Sequence, residues 1–154
     1  MRNISPSVLS ADFSNIKQQI ELVEEAGATR LHLDVMDGNF VPNLTFGPII
    51  IKGINKITNM HLETHLMINN PNKYLNDYID AGSDTLIFHY EASDNVREDL
   101  EIIRNRNVKC GLAIKPETDY RVLEQYIDIL DYILIMSVSP GFGGQGFIEE
   151  SLIK

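Results

Sequence analysis

Apolar residues recur along the chain in two alternating patterns. Short β-rich apolar segments begin near Ile4, Arg30, His61, Thr85, Val108 and Asp131. Most of the stretches between them carry apolar residues at helical spacing, with polar residues on the opposite face. The helical stripes are Phe13, Ile16, Ile20 and Val23; Tyr74, Tyr78 and Ile79; Val96, Leu100 and Ile103; and Val122, Leu123, Tyr126 and Ile127. The pattern predicts six β-then-α units in a row.

Glycine and proline residues mark the ends of these predicted elements. Gly27 and Gly82 each stand between a helical stripe and a strand, where glycine ends a helix at low cost. Pro48 and Pro71 stand where a helix is expected to start, because proline is favoured at the first helical position. The positions of these residues support the same division of the chain.

Continuous apolar runs indicate how the strands are arranged. Residues 86–88 and 133–136 are such runs, which are typical of parallel strands covered on both faces. No linker or change of composition divides the chain, so residues 1–154 are predicted to form a single α/β domain. The pattern alone is compatible with an open doubly wound sheet and with a closed (β/α)₈ barrel.

The composition excludes some classes of function. The chain has 154 residues, of which 44% are hydrophobic, and a formal net charge of −9. We expect no nucleic-acid binding, because phosphates require a concentrated basic face and the chain has no Lys/Arg cluster. No apolar run approaches the roughly 20 residues of a membrane span, and residues 1–6 lack the apolar stretch of a signal peptide. We therefore expect a cytoplasmic protein without a membrane partner.

Two histidines and an aspartate are candidate metal ligands. His32 and Asp34 are two apart on a predicted strand, so their side chains point to the same face. His65 comes near the end of the next strand, and functional residues of parallel sheets cluster at that end. Two imidazoles and a carboxylate suit zinc, iron or manganese better than magnesium. The alternative is that both histidines are hydrogen-bonded residues of an unrelated pocket.

A glycine-rich segment is a candidate anion site. Residues 140–145, Pro-Gly-Phe-Gly-Gly-Gln, follow a predicted strand and precede residues 147–150, which are compatible with a helix start. Backbone N–H groups of glycines can approach a phosphate closely, and a helix start adds a favourable dipole. The alternative is a plain turn that requires glycine for positive φ. The segment lacks the Lys-Ser/Thr of a Walker loop, so nucleotide hydrolysis is not indicated.

Other residues near strand ends have less specific roles. Met36, Met67 and Met136 each fall near the end of a predicted strand, which is compatible with thioethers around one site or with ordinary core packing. His61 begins its strand and is expected at the opposite, non-catalytic end. His89 ends the fourth strand with Glu91 nearby, and either site lining or a structural hydrogen bond would explain it.

Four segments in the same order resemble the ribulose-phosphate 3-epimerase family. They are residues 6–13, Pro-Ser-Val-Leu-Ser-Ala-Asp-Phe; 32–43, from the His-Leu-Asp strand to Phe-Val-Pro-Asn; 65–67, His-Leu-Met; and 136–145, which contain the glycine-rich segment. The similarity extends from Ile4 to Lys154. It implies a TIM (β/α)₈ barrel, of which this chain would contain about six βα units.

The resemblance also implies a reaction. It is epimerisation at C3 of D-ribulose 5-phosphate to D-xylulose 5-phosphate, a step of the pentose phosphate pathway, through an enediolate stabilised by one divalent ion (Zn, Fe, Mn or Co). The small-molecule partner would be a phosphorylated ketose, and the protein would be a homo-oligomer.

Individual residues take roles from this resemblance. His32, Asp34 and His65 would hold the metal, and Asp34 would also act as the acid/base on one face of the substrate. Residues implied to contact the substrate are Ser7, His65, Met36, Met67, Met136, Gly141, Phe142, Gly143 and Gly144.

The sequence departs from the family pattern in two places. The family's second acid/base, which is also its fourth metal ligand, is an aspartate of a Val-Asp-Gly-Gly motif on the seventh strand, and residues up to Lys154 contain no counterpart. We therefore expect a partial barrel, with the remaining site groups supplied by a longer protein. Lys115 stands where the family usually has asparagine.

Three other functions remain as alternatives. A hexulose-phosphate 3-epimerase, acting for instance on allulose 6-phosphate, would use the same residues. A non-catalytic fragment that binds a phosphorylated ligand is the hypothesis from another class. An open-sheet dehydrogenase is less favoured, because residues 4–13 contain no G-x-G-x-x-G.

Overall fold

In residues 4–154, which the computed structural model describes, five parallel strands form a sheet in sequential order. The strands are β1 Arg30–Met36, β2 His61–Met67, β3 Thr85–His89, β4 Lys109–Ile114 and β5 Tyr132–Ile135. An open doubly wound sheet reverses its strand order at a switch point, and this sheet does not. The arrangement is that of a partial (β/α)₈ barrel, which confirms the predicted fold class.

Helices and 3₁₀ turns connect the strands. The α-helices are α1 Ile16–Glu25, α2 Pro48–Asn55, α3 Leu75–Asp80 and α4 Val96–Asn105, and the 3₁₀ turns are Val8–Ser10, Phe13–Asn15, Pro71–Lys73, Tyr90–Ala92, Tyr120–Tyr126 and Glu149–Ile153. Pro48 and Pro71 begin their elements as predicted. Gly82 has φ +104°, and a Cβ there would lie 2.1 Å from Asn55 Nδ2, so any other residue would be strained and would displace the Asn55 side chain.

The prediction of a strand near Ile4 is wrong, because the segment forms no extended strand. In its place, Ser7 forms an isolated parallel bridge with His32, and Pro6 accepts a hydrogen bond from the His32 N–H at 2.9 Å. Pro6 has no N–H to continue the ladder, and the chain turns into a 3₁₀ element at Val8. The segment still lies beside β1, which is what brings Ser7 close to that strand.

The predicted elements near the end of the chain also differ from those observed. The stripe that contains Leu123 and Tyr126 forms a 3₁₀ turn, whose period of three places these two residues on one side while Ile127 is exposed. β5 was expected to be covered on both faces, but Ile133 is 46% exposed. β5 is at the edge of the sheet in the described residues, so one side of it has no neighbouring strand.

The two faces of β1 differ in chemistry, and this difference positions the site. Leu31, Leu33 and Val35 point to the outer face, where the helices bury them almost completely. The alternate residues, including His32 and Asp34, point to the inner face. In a barrel the inner face is the lumen, so polar groups on it line the interior of the site end.

The membrane prediction concerns the helices of residues 4–154. None of those helices is long and apolar enough to cross a membrane. The first three residues of the stretch considered for a signal peptide lie outside the described residues.

Candidate functional site

Three predicted ligands meet at the inner face of β1 and β2. His32 and Asp34 project from β1 to the same face, and the backbone register places Asp34 directly opposite His65 of β2. Both strands continue only to Met36 and Met67, so the three side chains lie toward the C-terminal ends. That is the end at which parallel barrels carry their active sites.

The spacing of the three polar atoms fits a metal ion. His32 Nε2 lies 3.4 Å from Asp34 Oδ1, His65 Nδ1 lies 3.2 Å from the same oxygen, and the two nitrogens are 3.4 Å apart. Ligand atoms at about 2.0–2.2 Å from a tetrahedral ion lie roughly 3.3–3.6 Å from one another. The donor set of two nitrogens and one carboxylate oxygen suits zinc, iron, manganese or cobalt.

Charges around Asp34 keep it ionised. Burial opposes the charged carboxylate, but the hydrogen bond and positive charge of His32 hold the pKa of Asp34 well below its usual range. Burial likewise disfavours charge on His32, yet the carboxylates of Asp34 and Glu63 raise the pKa of His32 to about 9. Binding of a metal at its Nε2 requires loss of that proton.

His65 differs from His32 because it is fully buried. Burial lowers the pKa of His65 to about 4, although Asp34 acts in the opposite direction. The ring is therefore neutral at physiological pH, which is the form in which imidazole binds metals.

Hydroxyl groups hold the carboxylate and its strand in place. Ser7, which the sequence selected, donates its hydroxyl hydrogen to Asp34 Oδ2. Thr45 was not among the site residues predicted from the sequence. Its hydroxyl donates to the Asp34 carbonyl oxygen at 2.7 Å and accepts from the Met36 N–H at 2.9 Å. Thr45 thereby fastens the loop after β1 to the end of that strand.

Glu63 is a further charged residue of the site, which the sequence pattern did not single out. It lies two residues before His65 on β2 and opposite His32 in the register, with its carboxylate 3.7 Å from His32 Nδ1 and paired with Arg30. Burial opposes its ionisation, but His32 and Arg30 lower the pKa of Glu63 to about 2. The alternation of β2 from His65 was the available signal, since residues two apart share a face.

The three methionines are not equally placed. Met36 and Met67 face each other in the register and pack together with Val41 in a small buried cluster. Met136 directly follows β5 and is half-buried outside that cluster. The role of all three beside the substrate stays a prediction.

The glycine-rich segment forms an irregular loop after β5. Gly141 has φ +126° and Gly144 has φ +71°. The N–H groups of Gly141, Phe142, Gly143 and Gly144 donate no hydrogen bond to another described residue, whereas Asn43 Nδ2 donates to the Gly141 carbonyl oxygen at 2.7 Å. The helix expected from residue 147 is wrong: residues 149–153 form a 3₁₀ turn, so no α-helix dipole points at the loop.

Lys115, the departure from the family pattern, contacts the mouth of the site. Its ammonium lies 4.3 Å from the centre of the Phe40 ring, a cation–π arrangement. Phe40 in turn packs on the His89 ring. Lys115 therefore packs against the aromatic residue that covers His89.

His89 and Glu91 lie behind His65. His89 is completely buried, and its Nε2 lies 3.0 Å from His65 Nε2. Glu91 approaches His89 Nδ1 at 3.2 Å and also accepts from the Lys115 N–H and the Thr118 hydroxyl. The pair thus joins the ends of β3 and β4 to the ligand cluster.

Glu91 is expected to make stability depend on acidity. Burial opposes its ionisation, but hydrogen bonds from His89, Thr118 and Lys115 lower the pKa of Glu91 to about 2. A carboxylate whose pKa is lowered by folding stabilises the native state fully at pH values above its unfolded-state pKa, near 4.5. That contribution is lost as the pH falls toward the folded-state pKa of about 2. The free energy of unfolding of the wild type should therefore exceed that of Glu91→Gln at pH 7, and the gap should shrink by about 2 kcal/mol at pH 3.

The measurement is urea unfolding of both proteins at several pH values. Glu124→Gln, which alters an exposed carboxylate, is the matched control and should show no such change in the gap. A gap that is constant from pH 7 to pH 3 would contradict the role of Glu91.

Comparisons with known proteins address the whole chain. The family model described as "Ribulose-phosphate 3 epimerase family" matches residues 3–154. Proteins named ribulose-phosphate 3-epimerase from Bacillus subtilis and a Synechocystis species are 43% and 48% identical over 100% and 98% of the chain. A protein of Arabidopsis thaliana named ribulose-5-phosphate-3-epimerase, chloroplastic, is 40% identical over 98% of the chain.

The matched relatives are longer than this chain. It covers 71% of the Bacillus subtilis protein, 66% of the Synechocystis protein and 54% of the Arabidopsis protein. The chain thus spans about two thirds of the length of the bacterial relatives.

Proposed function

The chain belongs to the ribulose-phosphate 3-epimerase family, and from that premise we propose that the protein interconverts D-ribulose 5-phosphate and D-xylulose 5-phosphate. The reaction inverts the configuration at C3, next to the ketone carbon, as a step of the pentose phosphate pathway. The expected cytoplasmic location and homo-oligomeric state remain predictions.

The observation that carries the proposal is the cluster of His32, Asp34 and His65. Two nitrogens and one carboxylate oxygen lie 3.2–3.4 Å apart at the site end of adjacent strands. We propose that they hold one divalent ion of zinc, iron, manganese or cobalt. Bound there, the ion would supply a Lewis acid that stabilises negative charge on the substrate oxygens around C3.

Asp34 supplies the proton chemistry on one face of the substrate. Its carboxylate is ionised, which is the form that can accept the C3 proton. Ser7 holds Oδ2, and Thr45 holds the backbone carbonyl of the same residue, so the carboxylate has a defined position. Met36 and Met67 offer an apolar surface that cannot protonate the carbanion formed when C3 loses its proton.

The glycine-rich loop is proposed to bind the substrate phosphate. Gly141, Phe142, Gly143 and Gly144 present N–H groups that no described residue accepts. The loop lies against the segment after β1 and against the 3₁₀ turn Val8–Ser10, since a Cβ at Gly141 would lie 3.4 Å from Val41 Cβ and one at Gly143 3.8 Å from Ser10 Oγ. Successive N–H groups in such turns form a concave site for anions.

Gly141→Ala tests the phosphate role. Its φ of +126° is disfavoured for alanine, so the loop of the variant must either accept a strain of about 1–2 kcal/mol or change its conformation. We expect KM for the phosphorylated sugar to rise about five- to thirtyfold with a smaller change in kcat. Gly53→Ala, inside α2 and with open space around the added methyl group, is the matched control. An unchanged KM in Gly141→Ala would argue against this phosphate site.

The substrate assignment is tested by turnover on two sugars. Ribulose 5-phosphate and allulose 6-phosphate are each followed by NMR in D₂O with added Zn²⁺, Fe²⁺, Mn²⁺ or Co²⁺. We expect faster conversion of the pentulose, with deuterium entering at C3. Preference for the hexulose would replace the proposal with its closest alternative, and binding of both sugars without exchange at C3 would indicate a non-catalytic protein.

A further inference from the structure

A continuous line of hydrogen-bonding groups runs from the ligand cluster to the far side of β3. His65 Nε2 lies 3.0 Å from His89 Nε2, and His89 Nδ1 lies 3.2 Å from Glu91 Oε2. The two rings are 1% and 0% exposed, and they stack with 5.0 Å between their centres. Each nitrogen in this line therefore depends on its protein neighbour for a partner.

The polarity of the line is set at its Glu91 end. Glu91 Oε1 accepts from the Lys115 N–H at 2.8 Å and from the Thr118 hydroxyl. These donors favour the ionised carboxylate, which has no hydrogen to donate. Oε2 consequently requires a donor, and the group that faces it is His89 Nδ1–H.

The proton positions of both rings follow from that requirement. A neutral imidazole carries one N–H and one bare nitrogen, so His89 with hydrogen on Nδ1 must accept at Nε2. The group that faces Nε2 is His65 Nε2, which must then donate and leave the lone pair of His65 on Nδ1. The reverse order would leave the bare Nδ1 of His89 facing the Glu91 carboxylate at 3.2 Å, with no described donor between these two acceptors. In the proposed order the bare nitrogen is His65 Nδ1, which faces Asp34 Oδ1 at 3.2 Å but also has His32 Nε2 as a possible donor at 3.4 Å, and a cation between the two acceptors would satisfy both.

The nitrogen left bare by this order points into the ligand cluster. His65 Nδ1 lies 3.2 Å from Asp34 Oδ1 and 3.4 Å from His32 Nε2. We propose that Glu91 and His89 are positioning residues that fix the tautomer and orientation of His65, so that Nδ1 is available to a divalent metal. This inference rests on the proposed metal site.

A glutamine at position 91 should reverse the order. Its amide oxygen would stay with the Lys115 and Thr118 donors, so its NH₂ would face His89 Nδ1 and donate to it. His89 would then carry its hydrogen on Nε2, and His65 would be pushed toward the tautomer with hydrogen on Nδ1, the proposed ligand atom. Partners behind metal-bound histidines commonly affect metal affinity ten- to hundredfold, and we expect a loss of that size.

The experiment combines tautomer assignment with metal affinity. Long-range ¹H–¹⁵N NMR of histidine-labelled protein reports which ring nitrogens carry hydrogen, without metal and with Zn²⁺, and competition with a chromophoric chelator gives the Zn²⁺ dissociation constant. Wild type should show hydrogen on His65 Nε2 and His89 Nδ1. Glu91→Gln should shift both tautomers and weaken Zn²⁺ binding about ten- to hundredfold.

Two further variants separate this role from a general loss of structure. Thr118→Val removes another hydrogen bond of Glu91 but leaves its contact with His89, so it should retain the wild-type tautomers and affinity. His89→Phe keeps a buried ring but removes the acceptor, and its Zn²⁺ affinity should fall as in Glu91→Gln.

The outcomes distinguish this inference from the proposed metal site. Hydrogen on His65 Nδ1 in the metal-free wild type, or unchanged tautomers and affinity in Glu91→Gln, would overturn the positioning role. Wild type that does not bind Zn²⁺ would overturn the metal site and with it the positioning role, while the metal-free spectra would still report the hydrogen-bond order.

Discussion

Replacing Asp34 by asparagine is expected to lower kcat for C3 epimerisation by about 10³- to 10⁴-fold. The amide keeps the size of the side chain, and its oxygen can still accept from Ser7. It cannot take the C3 proton, and it removes the negative charge that lies between His32 and His65. Both proposed roles of Asp34 are therefore lost in one substitution, while its backbone contact with Thr45 is retained.

The loss is measured as the rate of conversion and as deuterium entry at C3 under saturating metal. Asp84→Asn is the matched control, because Asp84 accepts from the Leu62 N–H near the start of β2, at the opposite end of the sheet. Circular dichroism of both variants reports whether the fold is retained. Residual activity of Asp34→Asn within tenfold of the wild type would exclude Asp34 as the acid/base.

Zn²⁺ is expected to stabilise the wild type and to have no such effect on His65→Ala. A ligand at 100 times its dissociation constant stabilises the native state by about 2.7 kcal/mol. For a domain of this size that corresponds to a rise in Tm of roughly 5–10 °C. His65 supplies a neutral, fully buried nitrogen, so its removal leaves only His32 and Asp34 and should reduce affinity by more than about 100-fold.

The relevant quantity is the difference in Tm with and without Zn²⁺, because alanine at a buried position also lowers the baseline stability. His61→Ala is the matched control: His61 begins the same strand, bonds to Thr85 and lies far along β2 from the cluster. It should retain the full response to Zn²⁺. An equal response in His65→Ala would place the metal elsewhere, and loss of the response in His61→Ala would indicate an indirect effect.

The polar interior explains why the site remains ordered in spite of its charge. Arg30 Nη1 donates to Tyr132 at 2.8 Å and pairs with Glu63, and Glu63 approaches the rear nitrogen of His32. Each charged group in this layer therefore has a partner of opposite sign or a hydrogen bond. A buried charge without such a partner would cost several kcal/mol.

Much of the site was predictable where local geometry decides it. The alternation of side chains along a strand is fixed by backbone geometry, so His32 and Asp34 had to share a face once β1 was recognised. Their order along β2 placed His61 and His65 at opposite ends of that strand, and the preference for glycine after a helix placed Gly82 at a turn with positive φ. These statements require no knowledge of what the strands contact.

Several expectations failed where distant contacts decide the outcome. Pro6 interrupts the segment that was expected to form a first strand, and the residues around Leu123 form a 3₁₀ turn in place of the expected α-helix. Ile133 was expected to be buried from its apolar surroundings, yet it is exposed because, within residues 4–154, β5 has a neighbouring strand on one side only. An apolar run predicts a strand, but its coverage depends on what packs against it.

By itself, then, the sequence determined the order of the elements, the parallel character of the strands and the residues that share a strand face. Only the tertiary structure decided that Asp34 lies opposite His65, that Glu63 approaches His32, and that Glu91 and His89 stand behind the ligand cluster. The physical reason is range: strand periodicity arises from neighbouring residues, whereas register and burial arise from contacts between residues far apart in the chain.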